Sequence, residues 1–313
     1  MRALLIGMTL LTFGATHALA EPFITILTGG ISGVYYPLGV SLSDIYAKAI
    51  PDAKTSVQAT KASVENLNLL QNGRGEVAFA LGDTIGLAWA GNADAGFPQK
   101  LDRLRGIAAL YPNYLQVVAS ADSGIRTLGD LRGKRVSVGA PKSGTEINAR
   151  TVLTAAGVSF DDFAKVEHLG FAESVDLMKN RQLDVTLQSA GLGVSSIREL
   201  ATAIDITLVP IPVAVVATIN DPAYRVAIIP AATYQGQNQA VPTVEIENFL
   251  VTSADVDGEL VYRMTKAMFE NLDLLASAHV AARAIKIDSA LAGMPVPLHP
   301  GAARFYREKG MLP

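Results

Sequence analysis

Ile24-Thr25-Ile26-Leu27-Thr28-Gly29-Gly30-Ile31-Ser32-Gly33-Val34-Tyr35-Tyr36-Pro37-Leu38 reads as a short β-run that stops in a glycine turn and opens a helix. Apolar residues at Val34, Leu38, Leu42, Ile45 and Ala49 repeat at the 3.6-residue period of a core-facing helix. The start of such a helix aims free N–H groups and a partial positive charge at whatever sits above the end of the strand. A carboxylate or phosphate suits that position. The same glycines would equally serve a plain turn by supplying positive φ. The spacing matches neither the nucleotide phosphate loop nor the dinucleotide fingerprint.

Upstream, residues 1–20 carry one early charge at Arg2, an apolar stretch from Ala3 to Phe13, and Ala18-Leu19-Ala20 before Glu21. This is the pattern of a cleavable secretory signal, with an apolar run too short to span a bilayer. The absence of cysteine from the chain excludes a lipid-anchored cysteine and a disulfide framework. A bacterial periplasm is the expected compartment. Loss of Arg2 leaves 25 basic against 29 acidic side chains, a net charge of −4 on a chain long enough for two lobes. That balance argues against binding to nucleic acid or an anionic membrane, so any attraction for an anion must be local.

Downstream, strand and helix patterns alternate, as in α/β layers with a largely parallel sheet. Strands are expected at Phe23 to Thr28, Thr55 to Ala59 and Val77 to Leu81, and helices at Val34 to Ala49, Ser63 to Gln71 and Asp83 to Ala90. Two separate strands, Leu104 to Leu110 and Leu115 to Ala119, flank Tyr111-Pro112-Asn113-Tyr114. A second layer set follows, with a buried strand near Val136, helices from Thr145 and Ala172, and strands near Lys165 and Asp184. Pro242 to Val251 alternates as a strand, and the last sixty residues read as helices with a proline-rich loop from Ile287 to Pro300. The economical arrangement is two lobes, residues 21–113 with 243–313 and residues 114–242, joined by crossovers that act as a hinge.

A second loop, Gly139-Ala140-Pro141-Lys142-Ser143-Gly144-Thr145-Glu146, also joins a buried strand to a helix. Ser143 or Thr145 is placed to cap that helix, and Gly144 leaves room for a ligand against the backbone. Lys142 is either a cation for that anion or a solvated loop lysine. The two loops fall in different lobes, each at the carboxyl end of a strand, where open α/β sheets bind ligands. Candidate ligand-binding residues are therefore Gly29, Gly30, Ser32, Gly33, Lys142, Ser143, Gly144 and Thr145. Tyr35, Tyr36 and Tyr111 offer aromatic walls with a phenolic handle, although two or more of Tyr35, Tyr36, Tyr111 and Tyr114 belong to core packing. Thr60, Ser63, Asp83, Gln188 and Ser189 are polar groups at strand ends, for which helix capping is an alternative role. Three or four charge-assisted bonds contribute roughly 5–10 kcal/mol, and micromolar affinity requires about 8 kcal/mol. An arginine clamp is thus not obligatory.

These residues, in this order, resemble the TAXI family of TRAP-transporter solute receptors. The resemblance runs through Thr28-Gly29-Gly30 to Gly39, Ser63-Val64-Glu65-Asn66-Leu67, Leu110-Tyr111-Pro112, Asp130 to Val136 and Gly139 to Thr145. It ends at Pro297-Leu298-His299-Pro300-Gly301-Ala302 and Arg304-Phe305-Tyr306. The family implies a type II periplasmic-binding-protein fold. It also implies a monomeric receptor that closes on a small carboxylate such as glutamate or 2-oxoglutarate and passes it to a sodium-coupled membrane permease. No cofactor or metal is implied. Two departures stand out: Leu81-Gly82-Asp83 where relatives show Gln-x-Asp, and Ser189-Ala190-Gly191-Leu192-Gly193 where many show Gly-x-Pro.

An enzyme is the first rival, but His168, His279 and His299 are widely separated, and neither a metal-binding histidine pair nor a nucleophile elbow is present. His299, before Pro300, fits a helix-start role. A periplasmic sensor that presents its closed form to a kinase is the second rival, and sequence alone does not separate it from a transport receptor. N-terminal sequencing of exported material is expected to begin Glu-Pro-Phe-Ile, and an uncut chain would overturn the signal assignment.

Overall fold

The computed structural model describes residues 21–313, so the expected signal at 1–20 lies outside the described residues. The first unit is β1 (Phe23–Leu27), α1 (Tyr35–Ala49), β2 (Lys54–Gln58), α2 (Ser63–Gln71), β3 (Val77–Leu81) and α3 (Gly82–Ala90). A long strand, β4 (Leu104–Ser120), leads into β5 (Arg135–Ser137), α4 (Gly144–Ala155), β6 (Lys165–Glu167), α5 (Phe171–Lys179) and β7 (Val185–Ala190). Then come α6 (Ser195–Ala203), β8 (Ile206–Val209), α7 (Val213–Thr218), β9 (Arg225–Ile229) and a second long strand, β10 (Val241–Ser253). The chain closes with α8 (Gly258–Glu270), α9 (Leu272–Ala278) and α10 (Pro300–Glu308). The segment from α6 to β9 has no counterpart in the sequence reading.

The main path of the sheet is β2-β1-β3-β10-β4-β7-β5-β6. At one end β1 lies parallel to β2 and β3, and at the other β5 lies parallel to β6 and β7. Between them β10 and β4 run antiparallel, in register from Glu245↔Tyr114 to Ser253↔Leu104. Both long strands change partners along their length. β10 pairs with β3 over Asn248 to Thr252 and with β9 over Val241 to Glu245. β4 pairs with β10 up to Tyr114 and with β7 and β8 beyond it. Two parallel half-sheets thus share one antiparallel pair, which passes from one to the other near residues 111–114 and 245–248.

The expected break at Tyr111-Pro112-Asn113-Tyr114 is corrected: these residues lie inside the single strand β4. Proline removes a ladder donor and is tolerated at irregularities and unpaired edges. Pro112 meets both conditions. It faces Glu247, beside a register shift between Glu247 and Phe249, and pairing with β7 begins only at Tyr114.

The proline-rich loop covers the other edge of the first half of β4. Gly106 N–H donates to Pro297 O (2.9 Å), Ala109 N–H to Ala290 O (2.7 Å), and His299 N–H to Gly106 O (2.9 Å). The His299 ring then starts α10, accepting from Gly301 N–H at Nδ1 (3.1 Å) and donating from Nε2 to Val256 O (3.1 Å). Burial lowers its pKa. Three apolar clusters flank the sheet, one under α1, α8 and α10, one around α4 and β7, and one around α2 and α3. Among the described residues no helix is long and apolar enough to cross a membrane.

Gly301 lets α10 lie on α8, because a Cβ there would run into Gly258 O and come within 2.7 Å of Tyr262 N. Backbone atoms give way only if the helices separate. Gly301→Ala is therefore expected to lower stability by about 1–3 kcal/mol in denaturant unfolding, and an unchanged midpoint would contradict the packing described.

Candidate functional site

A cavity of about 520 Å³ lies between the half-sheets. Its walls come from the carboxyl ends of six parallel strands: Gly29–Tyr35 after β1, Thr60–Ser63 after β2, Leu81 of β3, Ala140, Pro141 and Ser143–Thr145 after β5, His168 and Gly170–Glu173 after β6, and Ser189–Ala190 of β7. Tyr111 and Asn113 of β4 form its floor. This is where open α/β sheets place ligands, because the helices that follow begin there.

Four helices of nine residues or more, α1, α2, α4 and α5, start at this cavity. The first N–H groups of a helix have no intrahelical acceptor. Among the described residues, the caps Val34 of α1 and Ala62 of α2 supply no side-chain bond. Ser143 caps α4 by accepting from Glu146 N–H (3.1 Å). Glu173 Oε2 accepts from Gly170 N–H (3.1 Å) and so occupies the start of α5.

The hydroxyls around these termini present protons. Ser63 Oγ accepts from Leu81 N–H (3.2 Å) and Thr145 Oγ1 from Ser189 N–H (3.4 Å), which leaves each O–H free to donate. Tyr111 OH and Ser189 Oγ are buried and have no hydrogen-bond partner among the described residues. Burial pushes the Tyr111 phenol well above its ordinary range, so it stays a donor. An unpaired buried polar group costs about 1–3 kcal/mol, a cost that a ligand acceptor removes. Of charged side chains, Lys61, His168 and Glu173 border the space, and no arginine lines it among the described residues. His168 Nδ1 stands 3.4 Å from Glu146 Oε1. The arrangement can hold an anion by neutral dipoles.

Twelve expected residues line this cavity: Gly29, Gly30, Ser32, Gly33, Tyr35, Thr60, Ser63, Tyr111, Ser143, Gly144, Thr145 and Ser189. Their roles differ. Tyr35 OH donates to Asn248 Oδ1, and Thr60 Oγ1 bonds Asn66 Oδ1 (2.6 Å) and accepts from Ala62 N–H (2.9 Å). None of Gly29, Gly30, Gly33 and Gly144 has positive φ; that conformation falls to Gly139, Lys142 and Ala62. Gly144 is small because its missing Cβ would lie 2.6 Å from Leu81 Cδ1 and 2.8 Å from Ser63 Oγ in the opposite half.

Tyr36, Asp83, Lys142 and Gln188 are outside the lining. Tyr36 is half-buried on α1, turned by the helical period away from Tyr35. Gln188 points to the other face of β7 from Ser189, as alternation requires, and its Oε1 accepts from Ser196 Oγ (2.6 Å). The Lys142 side chain is exposed, while its carbonyl, turned by φ of +62°, accepts from Glu65 N–H across the cleft (3.2 Å). It thereby satisfies a first-turn donor of α2 from the opposite half.

Asp83 joins the halves elsewhere. Its Oδ2 accepts from Asn148 Nδ2 of α4 (2.6 Å) and Tyr224 OH (2.7 Å), and its Oδ1 from Thr84 N–H (2.6 Å). Ser195 Oγ adds a bond to Ser32 O (2.8 Å). These bonds hold the two halves together around the cavity. Sequence reading passed over Asn113, Leu81 as a wall, and the His168–Glu173 loop, although the last shares the strand-turn-glycine-helix pattern of the first two loops.

The architecture is the two-lobed α/β arrangement of the type II periplasmic-binding-protein fold. The chain belongs to the NMT1-like family, whose profile matches residues 26–310. It is similar in fold to PhnD1 from Prochlorococcus marinus in complex with methylphosphonate, with 10% identity over 93% of this chain and 100% of that one and a TM-score of 0.59. It is also similar to a protein from Bordetella bronchiseptica, with 16% identity over 94% and 90% and a TM-score of 0.55. A putative L-cystine ABC transporter protein from Listeria monocytogenes gives 14% identity over 86% and 98% and a TM-score of 0.51.

Burial raises the Asp83 pKa to about 6, with the Tyr224 and Thr84 hydrogen bonds opposing and the nearby Asp221 reinforcing. A folded-state pKa above the unfolded one gives stability that is full below the unfolded value, near 4, and is lost as pH rises through about 6. Asp83→Asn removes this dependence. Denaturant unfolding from pH 4 to pH 7 is expected to show wild type losing roughly 2–4 kcal/mol relative to the variant, and parallel profiles would contradict it.

Proposed function

We propose that the chain is the exported solute receptor of a TRAP-type transporter of the TAXI kind. It captures a small organic carboxylate in the cavity and delivers it to a sodium-coupled membrane permease from the periplasm as a monomer. Residues 21–113 with 243–313 form one lobe and 114–242 the other, and opening bends β4 and β10 where they change partners. The observation that carries the reading is the convergence of the uncapped start of α1 with the unpartnered Tyr111 and Ser189 hydroxyls on one cavity between the half-sheets. Such a set of donors favours an anion. Closure makes the donors of both halves available to one ligand, and the population shifts only by the extra affinity this provides.

The test is thermal unfolding of the mature protein with carboxylates, sugars and amides. A carboxylate at a hundredfold excess over its dissociation constant is expected to stabilise by about 2.7 kcal/mol. Stabilisation by sugars or amides alone would overturn the reading. Gly144→Val, whose side chain meets Leu81 and Ser63 of the opposite half, is expected to fold and to lose the ligand-induced shift. A shift equal to wild type would make Gly144 a plain turn residue.

A further inference from the structure

The cavity offers a seat for one anionic group and little for a second. The uncapped start of α1, together with the buried Ser63, Thr145, Tyr111 and Ser189 hydroxyls, forms the donor set, because at α2 Lys142 O already accepts from Glu65 N–H and Glu65 Oε2 accepts from Lys61 N–H (2.6 Å). A second carboxylate would look first to the start of α5, the fourth helix aimed at this space. That terminus already holds a carboxylate, because Glu173 stands in its first turn and accepts from Gly170 N–H. A ligand carboxylate placed there would face a like charge and compete for the same donor. The other charged groups do not replace it. Lys61 is exposed, where an ion pair contributes little, and His168 is beside Glu146. Much of the remaining wall is apolar: Val34, Leu81, Pro141, Phe171, Ala172 and Ala190.

We infer that the cavity selects ligands with a single carboxylate and an uncharged, largely apolar body, and that Glu173 excludes dicarboxylates. This rests on the carboxylate-receptor reading and narrows it. The apolar walls reward burial of an aliphatic or aromatic body, whereas a second carboxylate would be desolvated against those walls without a paired cation. Glu173 acts as a specificity residue by filling the helix start that a second carboxylate would need.

The experiment is calorimetric titration of the mature protein with matched pairs that differ by one carboxylate, hexanoate against adipate and norleucine against 2-aminoadipate, with phenylacetate and octanoate as further single-carboxylate probes. At least one single-carboxylate compound is expected to bind about tenfold or more tighter than its dicarboxylate counterpart, a difference of about 1.4 kcal/mol. Glu173→Gln is expected to narrow that ratio several-fold by improving the dicarboxylate. Equal binding within pairs, or tighter dicarboxylates, would overturn the inference and leave the receptor reading standing. An unaltered ratio in Glu173→Gln would remove Glu173 from the selection. If no carboxylate of either kind binds while a sugar or amide does, the receptor reading falls and the inference with it.

Discussion

The antiparallel pair β4–β10 is the constraint on which the rest of the molecule depends. Each half-sheet is parallel within itself, so all its strand carboxyl ends, and the helix starts after them, lie on one side. Because the same two strands run through both halves, those two sides are held facing each other. The buried amides that thread this pair belong to the same device. Asn248 Nδ2 donates to Tyr111 O (2.8 Å) and Asn113 Oδ1 (2.8 Å), and Asn113 Nδ2 donates to Ser189 O (2.9 Å). The residues that join the half-sheets therefore also hold the cavity floor.

The anion site proposed for this cavity would be made of dipoles, which bears on closure. Helix starts and hydroxyls act at short range, within the first turn, so a ligand between separated lobes would meet only half the donors. A guanidinium on one lobe could hold an anion with the cleft open, whereas this donor set works fully only when closed. Protein groups are also satisfied directly between the halves, since Lys142 O caps α2 from across the cleft and Asp83 collects Asn148 and Tyr224. Donors to the proposed ligand and the bonds across the cleft would thus favour the same conformation.

Backbone conformation at the cavity follows a similar division. Ala62 and Lys142 hold positive φ without being glycine, and both stand at loops that open helices here. Such conformations persist where surrounding structure over-determines them. Here that structure is the Thr60 hydroxyl beneath Ala62 N–H and the Glu146 carboxylate beneath Lys142 N–H (3.1 Å). Gly29, Gly30, Gly33 and Gly144 by the cavity have ordinary φ, and of these Gly144 serves as a gap for Leu81 and Ser63, a role that a reading based on positive φ alone would miss.

What was legible in the sequence was local. Ser63–Gln71 and Val77–Leu81 form over the residues that periodicity and apolar runs indicate, and the glycine loops after β1 and β5 were recognisable because strand, turn and helix start are neighbours in the chain. Pro112 misled, since its tolerance inside β4 depends on partners more than 70 residues away in β7 and about 130 away in β10. Asp83, Lys142 and Gln188 were expected at the ligand because each is a polar residue at a strand end or helix start. Asp83 and Gln188 are instead turned toward Asn148 and Ser196, while Lys142 meets the opposite half through its carbonyl, which accepts from Glu65 N–H, and leaves its side chain exposed. The sequence by itself determined the βα units and the donors each carries. Tertiary structure decided which of those donors meet at one cavity and which are capped from the opposite lobe, because convergence depends on long-range strand pairing that no local pattern records.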